Sequence, residues 1–305
     1  MYRRRFIYYR EVIRPKEWGF AAIFEGGYDN TRILGEDFVA TVGLPYKMTV
    51  NGYEVEPTAV RSFAGMYQEV SVECLFLNDP TTMAHLFHDC NRLLSVSFGF
   101  NIYPEGITDM SYMFYGCTKL TNVELANMTN TPNLTNMAYM FYDCRAMAAM
   151  PTYLWDMDTS HVTNMSYMFW QCNSLTSARL GNTDSVRNID FIFAECSAIT
   201  SFNKGNSDIR NVSSLGAVFR GCSNITSLDL RGWNTGGVHY MAQTFYGCSK
   251  LSTIQVSGNL SQVSYFQYTF DGVAPNGAFV GNSAYNYDNI AAQLPSGWSV
   301  YLTNY

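Results

Sequence analysis

Seven of the chain's eight cysteines, Cys90, Cys117, Cys144, Cys172, Cys196, Cys222 and Cys248, follow one another at intervals of 27, 27, 28, 24, 26 and 26 residues. Thiols in such register could pair, bind a metal or act as nucleophiles. Metal sites bring ligands together in close pairs such as Cys-x-x-Cys, and the sequence has none. Val273 takes the same position one unit later. The position therefore reads as a small apolar packing slot filled by buried free thiols.

The other chemical groups are as scattered. In "HLFHDC", His85 and His88 form a local ligand cluster with Cys90, yet Tyr112 and Tyr115 hold their places in the next unit. His161 and His239 fall in turns with no local Ser/Asp partner that would define a hydrolase, and no Gly-x-Ser-x-Gly elbow is present. The carboxylates Asp109, Asp143, Asp156, Asp158 and Glu195 are spread through turns. Glycines in "EGGYDN" and "FAGMY" do not form a phosphate-cradling pattern. No catalytic residue, cofactor or metal is expected.

What the cysteines mark is a repeat. Three residues before each slot stands Phe87, Phe114, Phe141, Phe169, Phe193, Phe219, Phe245 or Phe270; seven before stands Met83, Met110, Met137, Met165, Ile189, Leu215, Met241 or Phe266. Apolar residues recur three and six places after, in stretches such as "LTNVEL" and "ITSLDL" whose alternation predicts one short strand per unit. In "MSYMFYGC" the apolar spacing of 0, 3, 4 and 7 predicts a short helical turn. It is too short to persist alone, so stacking must hold it. Periods of this size define solenoids.

The expected fold is an α/β solenoid, a stack of about eight units of 24–28 residues with short parallel strands and short helical turns. At about 4.8 Å per strand it would be roughly 40 Å long. Residues 81–273 form the solenoid. Residues 1–80 are expected to be a β-rich attachment and capping region, and 274–305 a C-terminal cap in which "APNGAFVG" makes a hairpin edge, "YNYDNIAAQL" a short helix and Trp298 an aromatic plug.

Two surface features remain. Positions two and five before the cysteine slot carry Tyr115, Tyr142 and Trp170, and Tyr112, Tyr139 and Tyr167. These aromatics either cover the core or form a recognition stripe, since rigid aromatic area supplies affinity at low ordering cost. The N-terminal arm, with Arg3, Arg4, Arg5 and Arg10 among Phe6, Tyr8 and Tyr9, is the candidate docking element. Residues 1–16 hold six of the 19 basic residues and one of the 25 acidic ones, leaving 13 and 24 for the rest. An acidic body repels nucleic acid, so the arm is expected to dock on protein: other virion proteins or a second copy. Neither a secretory signal nor a membrane-spanning stretch is expected.

The Met-x-x-Met-Phe-x-x-Cys motif, clearest in "HVTNMSYMFWQCNSLTSARL" and "GCSNITSLDLRGWNT", resembles the leucine-rich repeats of the BspA-like bacterial surface-protein family, over about residues 81–273. Similar repeats occur in phage structural genes. The resemblance implies a leucine-rich-repeat-like fold and a non-enzymatic adhesive or recognition role. The function expected is a structural or adhesive component of a bacteriophage virion, in its tail, fibre or capsid-associated parts. The alternative is a bacterial cell-surface adhesin whose repeat surface binds a host receptor protein or glycan.

Overall fold

The computed structural model describes residues 80–100, 104–151 and 153–304, and four earlier strands as backbone. The arm from Arg3 to Arg10, proposed to dock, lies outside the described residues. Strands β1 (Trp18–Phe24), β2 (Lys47–Val50), β3 (Tyr53–Val55) and β4 (Val70–Phe76) pair antiparallel in the order β3-β2-β4-β1. β1 then pairs antiparallel with β5 (Leu93–Phe100), the first repeat strand, which pairs parallel with β6 (Asn122–Glu124). The direction of pairing changes at β5, where the repeats begin.

From there the chain is a parallel β-solenoid of about eight turns, the stack the cysteine spacing predicts. β7 (Ser177–Arg179) pairs with β8 (Ser201–Asn203), and β9 (Ser227–Leu230), β10 (Thr253–Val256), β11 (Asn276–Asn282) and β12 (Gly297–Thr303) form a second parallel run. Strand register joins one apolar column: Leu228, Ile254, Phe279 and Val300 are successive partners.

Three expectations change. Among the described residues the third unit has no strand, because "MAAMP" (147–151) lacks apolar–polar alternation and Pro151 brings no N–H. β11 is not half of a hairpin; it pairs parallel with β12 through a connection holding α1 (Asp288–Ala291), so the cap continues the coil. Trp298 does close the core there, buried, with Nε1 donating to Ala274 O at 2.7 Å.

The third change concerns the "MSYMFYGC" segments, which contain no helix. Each is a run of tight turns whose peptides alternate in direction. In the second unit, the N–H groups of Met110, Tyr112, Phe114 and Gly116 donate to carbonyls of the next unit, at Asn136, Ala138, Met140 and Tyr142. Those of Met113, Tyr115 and Cys117 donate three residues back in their own unit. Successive i→i+3 turns bury positions 0, 3, 4 and 7 as a helix would, and Met110, Met113, Phe114 and Cys117 are fully buried.

The side chains inherit this register. The eight phenylalanines stack in the core with centroids 5.2 to 6.3 Å apart. Each thiol from Cys117 to Cys248 donates to the carbonyl of the preceding unit's phenylalanine, as Cys172 Sγ does to Phe141 O at 3.1 Å. Cysteine thus fits the slot by size and also links two units. In the connecting segments the buried Thr131, Thr159, Thr183 and Thr235 each donate to the next unit's backbone, at Asp158, Asn182, Asp208 and Asn259.

Truncating Phe141 to Ala should therefore cost about 3–5 kcal/mol, read by urea unfolding, because both stacking neighbours hold the cavity open. Burial raises the pKa of Cys117, Cys144, Cys196, Cys222 and Cys248. With little thiolate to react, these thiols should label with maleimide at pH 8 no faster than the protein unfolds; rapid native-state labelling would contradict their placement.

Candidate functional site

The tight turns also build the outer face. Position −5 from each cysteine has a left-handed backbone: φ is 60° at His85, 57° at Tyr112, 59° at Tyr139, 57° at Tyr167 and 59° at Phe191. For a side-chain-bearing residue that conformation costs about 1–2 kcal/mol. Position −1 has the same conformation and takes glycine at Gly116, Gly221, Gly247 and Gly272. Position −5 never does, so its side chains contribute something glycine cannot.

That contribution is a ladder. His85, Tyr112, Tyr139, Tyr167 and Phe191 stack with centroids 4.7, 4.6, 4.7 and 4.5 Å apart and planes within 6°. Beside it His88, Tyr115, Tyr142 and Trp170 stack at 4.9, 4.5 and 4.4 Å. The columns touch at tilted contacts of 5.7 Å between Tyr112 and Tyr115 and between Tyr139 and Tyr142. All nine rings are half-buried. Each stacked pair is worth about 0.5–1.5 kcal/mol beyond burial.

All six aromatics singled out from the sequence lie in this array. The stripe read from the sequence leaves out Phe191, which continues the outer column, and His85 and His88 stand at the start of the two columns. Every interior ring is covered on both faces, so edges and hydroxyls are what a partner meets. Burial, then the adjacent Tyr115 phenol, pushes Tyr142 up to about 12. Tyr139 is raised by burial and its tyrosine neighbours, and Tyr167 by burial and the Asp190 carboxylate.

The remaining candidates do not converge. Ser160 Oγ donates to Asp158 Oδ1 at 2.6 Å and lies 3.0 Å from His161 Nδ1. A hydrolytic triad needs the imidazole between serine and carboxylate, whereas here the serine is in the middle. The contact serves a turn, and its hydrogen bonds lower the Asp158 pKa. His239 Nδ1 lies 3.2 Å from Gln262 O. Asp143 pairs with Arg145 at 2.6 Å. Among the described residues no group of three His, Cys, Asp or Glu side chains is placed to hold a metal, and no helix is long and apolar enough to cross a membrane.

Fold and face together define a tandem-unit β-solenoid with an aromatic ladder along one side. Residues 81–204 and 179–280 match the family described as "Mycoplasma protein of unknown function, DUF285", about two thirds of the chain, and the chain belongs to that family. No curated protein and no solved structure matches it.

The raised Tyr142 pKa has a sign that can be checked. The folded state holds its proton more tightly than the unfolded chain, so this contribution is complete below about pH 10 and lost as pH climbs toward 12. Tyrosinate absorbance should show a late-titrating phase that Tyr142→Phe diminishes.

Proposed function

We propose that the chain is a non-catalytic recognition module that engages a partner through the paired aromatic ladder. The observation that carries this reading is the nine-ring, two-column array on a dry, register-locked core. Half-buried rings held by both neighbours lose little freedom on binding, which favours contact residues of high affinity per area. Because stacking occupies the ring faces, the partner meets ring edges and phenol hydroxyls. Hydrogen-bonding protein surfaces suit that chemistry better than sugars, which need an open aromatic face to stack on.

The setting proposed for it is a bacteriophage particle, with residues 1–80 docked on other virion proteins or on a second copy. The bacterial cell surface is the alternative. The BspA-like motif in the sequence supports an adhesive role in either place. Mass spectrometry of purified particles and of cell envelopes decides between the two settings.

The face is tested with Tyr115→Ser combined with Tyr142→Ser. Binding of the labelled protein to intact bacterial and host cells should fall by about tenfold or more, while melting stays cooperative. Wild-type binding by a folded double variant would refute the assignment.

A further inference from the structure

Both aromatic columns stop before the stack does. In the outer column Tyr167 and Phe191 are followed by Ala217 and Gln243. The backbone carries on: Phe191 N–H donates to Gly216 O, Ala217 N–H to Ala242 O and Gln243 N–H to Gln267 O, each at 2.9 Å. One ring is missing while its rung remains. With rungs about 4.8 Å apart, Phe191 and Gln243 bracket an opening one planar group thick, floored by the Ala217 methyl. A cavity of ≈ 510 Å³ lies there, lined by Phe191, Ala217, Gln243, Asp190, Ser214 and Tyr240 among others. Its rim residues His239 and Tyr240 are exposed, so it opens onto the surface.

The wall of this slot carries an unusual charge. Position −6 holds small residues in neighbouring units, Ser111, Ala138, Ser166, Gly216 and Ala242, but Asp190 here. Its Oδ1 accepts from Ser214 Oγ at 2.7 Å and Gly216 N–H at 2.9 Å. Among the described residues no lysine or arginine pairs with it. Burial raises the carboxyl's pKa against those two hydrogen bonds, as it does for a charge lacking a counterion.

The adjacent column shows how this ladder fills a rung without a ring. After Trp170 comes Ala194, then Arg220, whose guanidinium lies 5.2 Å over the Tyr246 ring. Arg220 Nε donates to Glu195 Oε1, contributed by the preceding unit, at 2.9 Å, and Nη1 donates to Gln243 Oε1. A ring face and a carboxylate one rung back hold a planar cation. Around Ala217 a ring face and a carboxylate are again at hand, Phe191 and Asp190, here both one rung back, and among the described residues no lysine or arginine pairs with that carboxylate.

We propose that this slot binds the guanidinium of an arginine presented by a partner protein, stacked on Phe191 and hydrogen-bonded to Asp190. Guanidinium is planar, weakly hydrated and always charged, so it matches a one-ring slot better than an ammonium does. The acidic balance of the body, 24 acidic against 13 basic residues beyond residue 16, favours approach of a basic segment. The inference rests on the recognition-face reading for its biological use, but its chemistry is separable from the tyrosine stripe.

Calorimetric titration of the full chain with acetyl-Gly-Arg-Gly-amide, and with the lysine and citrulline counterparts, tests it. The arginine peptide should bind about tenfold more tightly than either counterpart. Asp190→Asn and Ala217→Phe should each weaken it by about tenfold. Ala217→Phe supplies the missing ring at φ 52°, close to the 59° that Phe191 adopts, so its melting temperature should not fall. Equal binding of the three peptides, no binding, indifference to both variants, or tighter binding of free guanidinium than of the peptide would each overturn the proposal. Tyr115→Ser with Tyr142→Ser leaves the slot intact, so failure of the stripe and failure of the slot are told apart.

Discussion

The structure depends on one arrangement of peptide groups. Between positions −7 and 0 alternate N–H groups bond along the stack while those between them bond back within their own unit. In the second to fourth units every N–H of this stretch is accounted for without a helix or a continuous strand. The pattern requires left-handed residues at −5 and −1, a conformational cost met twice in each turn of the coil. Since main-chain bonds fix the offset between units, like residues fall on like. Phe on Phe, Tyr on Tyr and thiol on carbonyl are consequences of that register. The unequal intervals of 24 to 28 residues do not disturb it, because the length difference falls in the connecting loops.

Stacking like on like suits some groups and penalises others. Rings, threonines and asparagines gain from a neighbour of their own kind, and the bridging column from Asp109 through Asn136 and Asn164 to Asn188 shows it. Each of those side chains accepts the N–H two residues on. Charges repel in such a column. Asp143, Asp208 and Asp229 are each offset by an arginine two residues later, at 2.6 Å, an exposed pairing worth little to stability. Asp190 is held instead by Ser214 Oγ and the Gly216 N–H, and burial raises its pKa.

Much of this was legible in the sequence. Phe114, Cys117 and their counterparts announce the stack because a single period explains every one of them. The helical turn was misread because buried positions at 0, 3, 4 and 7 arise equally from a helix or from successive tight turns. What separates the two is a left-handed Tyr112, and residue type does not favour that reading. The strand missing at Met147–Pro151 and the parallel course of β11 also depend on tertiary pairing. As for the face, the columns of Tyr112 and Tyr115 could be written down from spacing. Which surfaces of the rings are left free could not, since that follows from centroid distances.

Ring faces and ring edges recognise different things, and the ladder distributes them unequally. Along the interior from Tyr112 to Tyr167 each face is already stacked, and only edges and hydroxyls remain. Among the described residues of the ladder, a ring can leave a face free at the end of a column. Beyond Trp170 that end is closed, because Ala194 is fully buried. Beyond Phe191 it opens into a cavity beside a carboxylate. One surface therefore holds an extended hydrogen-bonding stripe and, at a fixed distance from it, a single slot for a planar cation. The main-chain register that sets the rung spacing also sets the width of that slot, so a flat group meets a gap formed before it arrives.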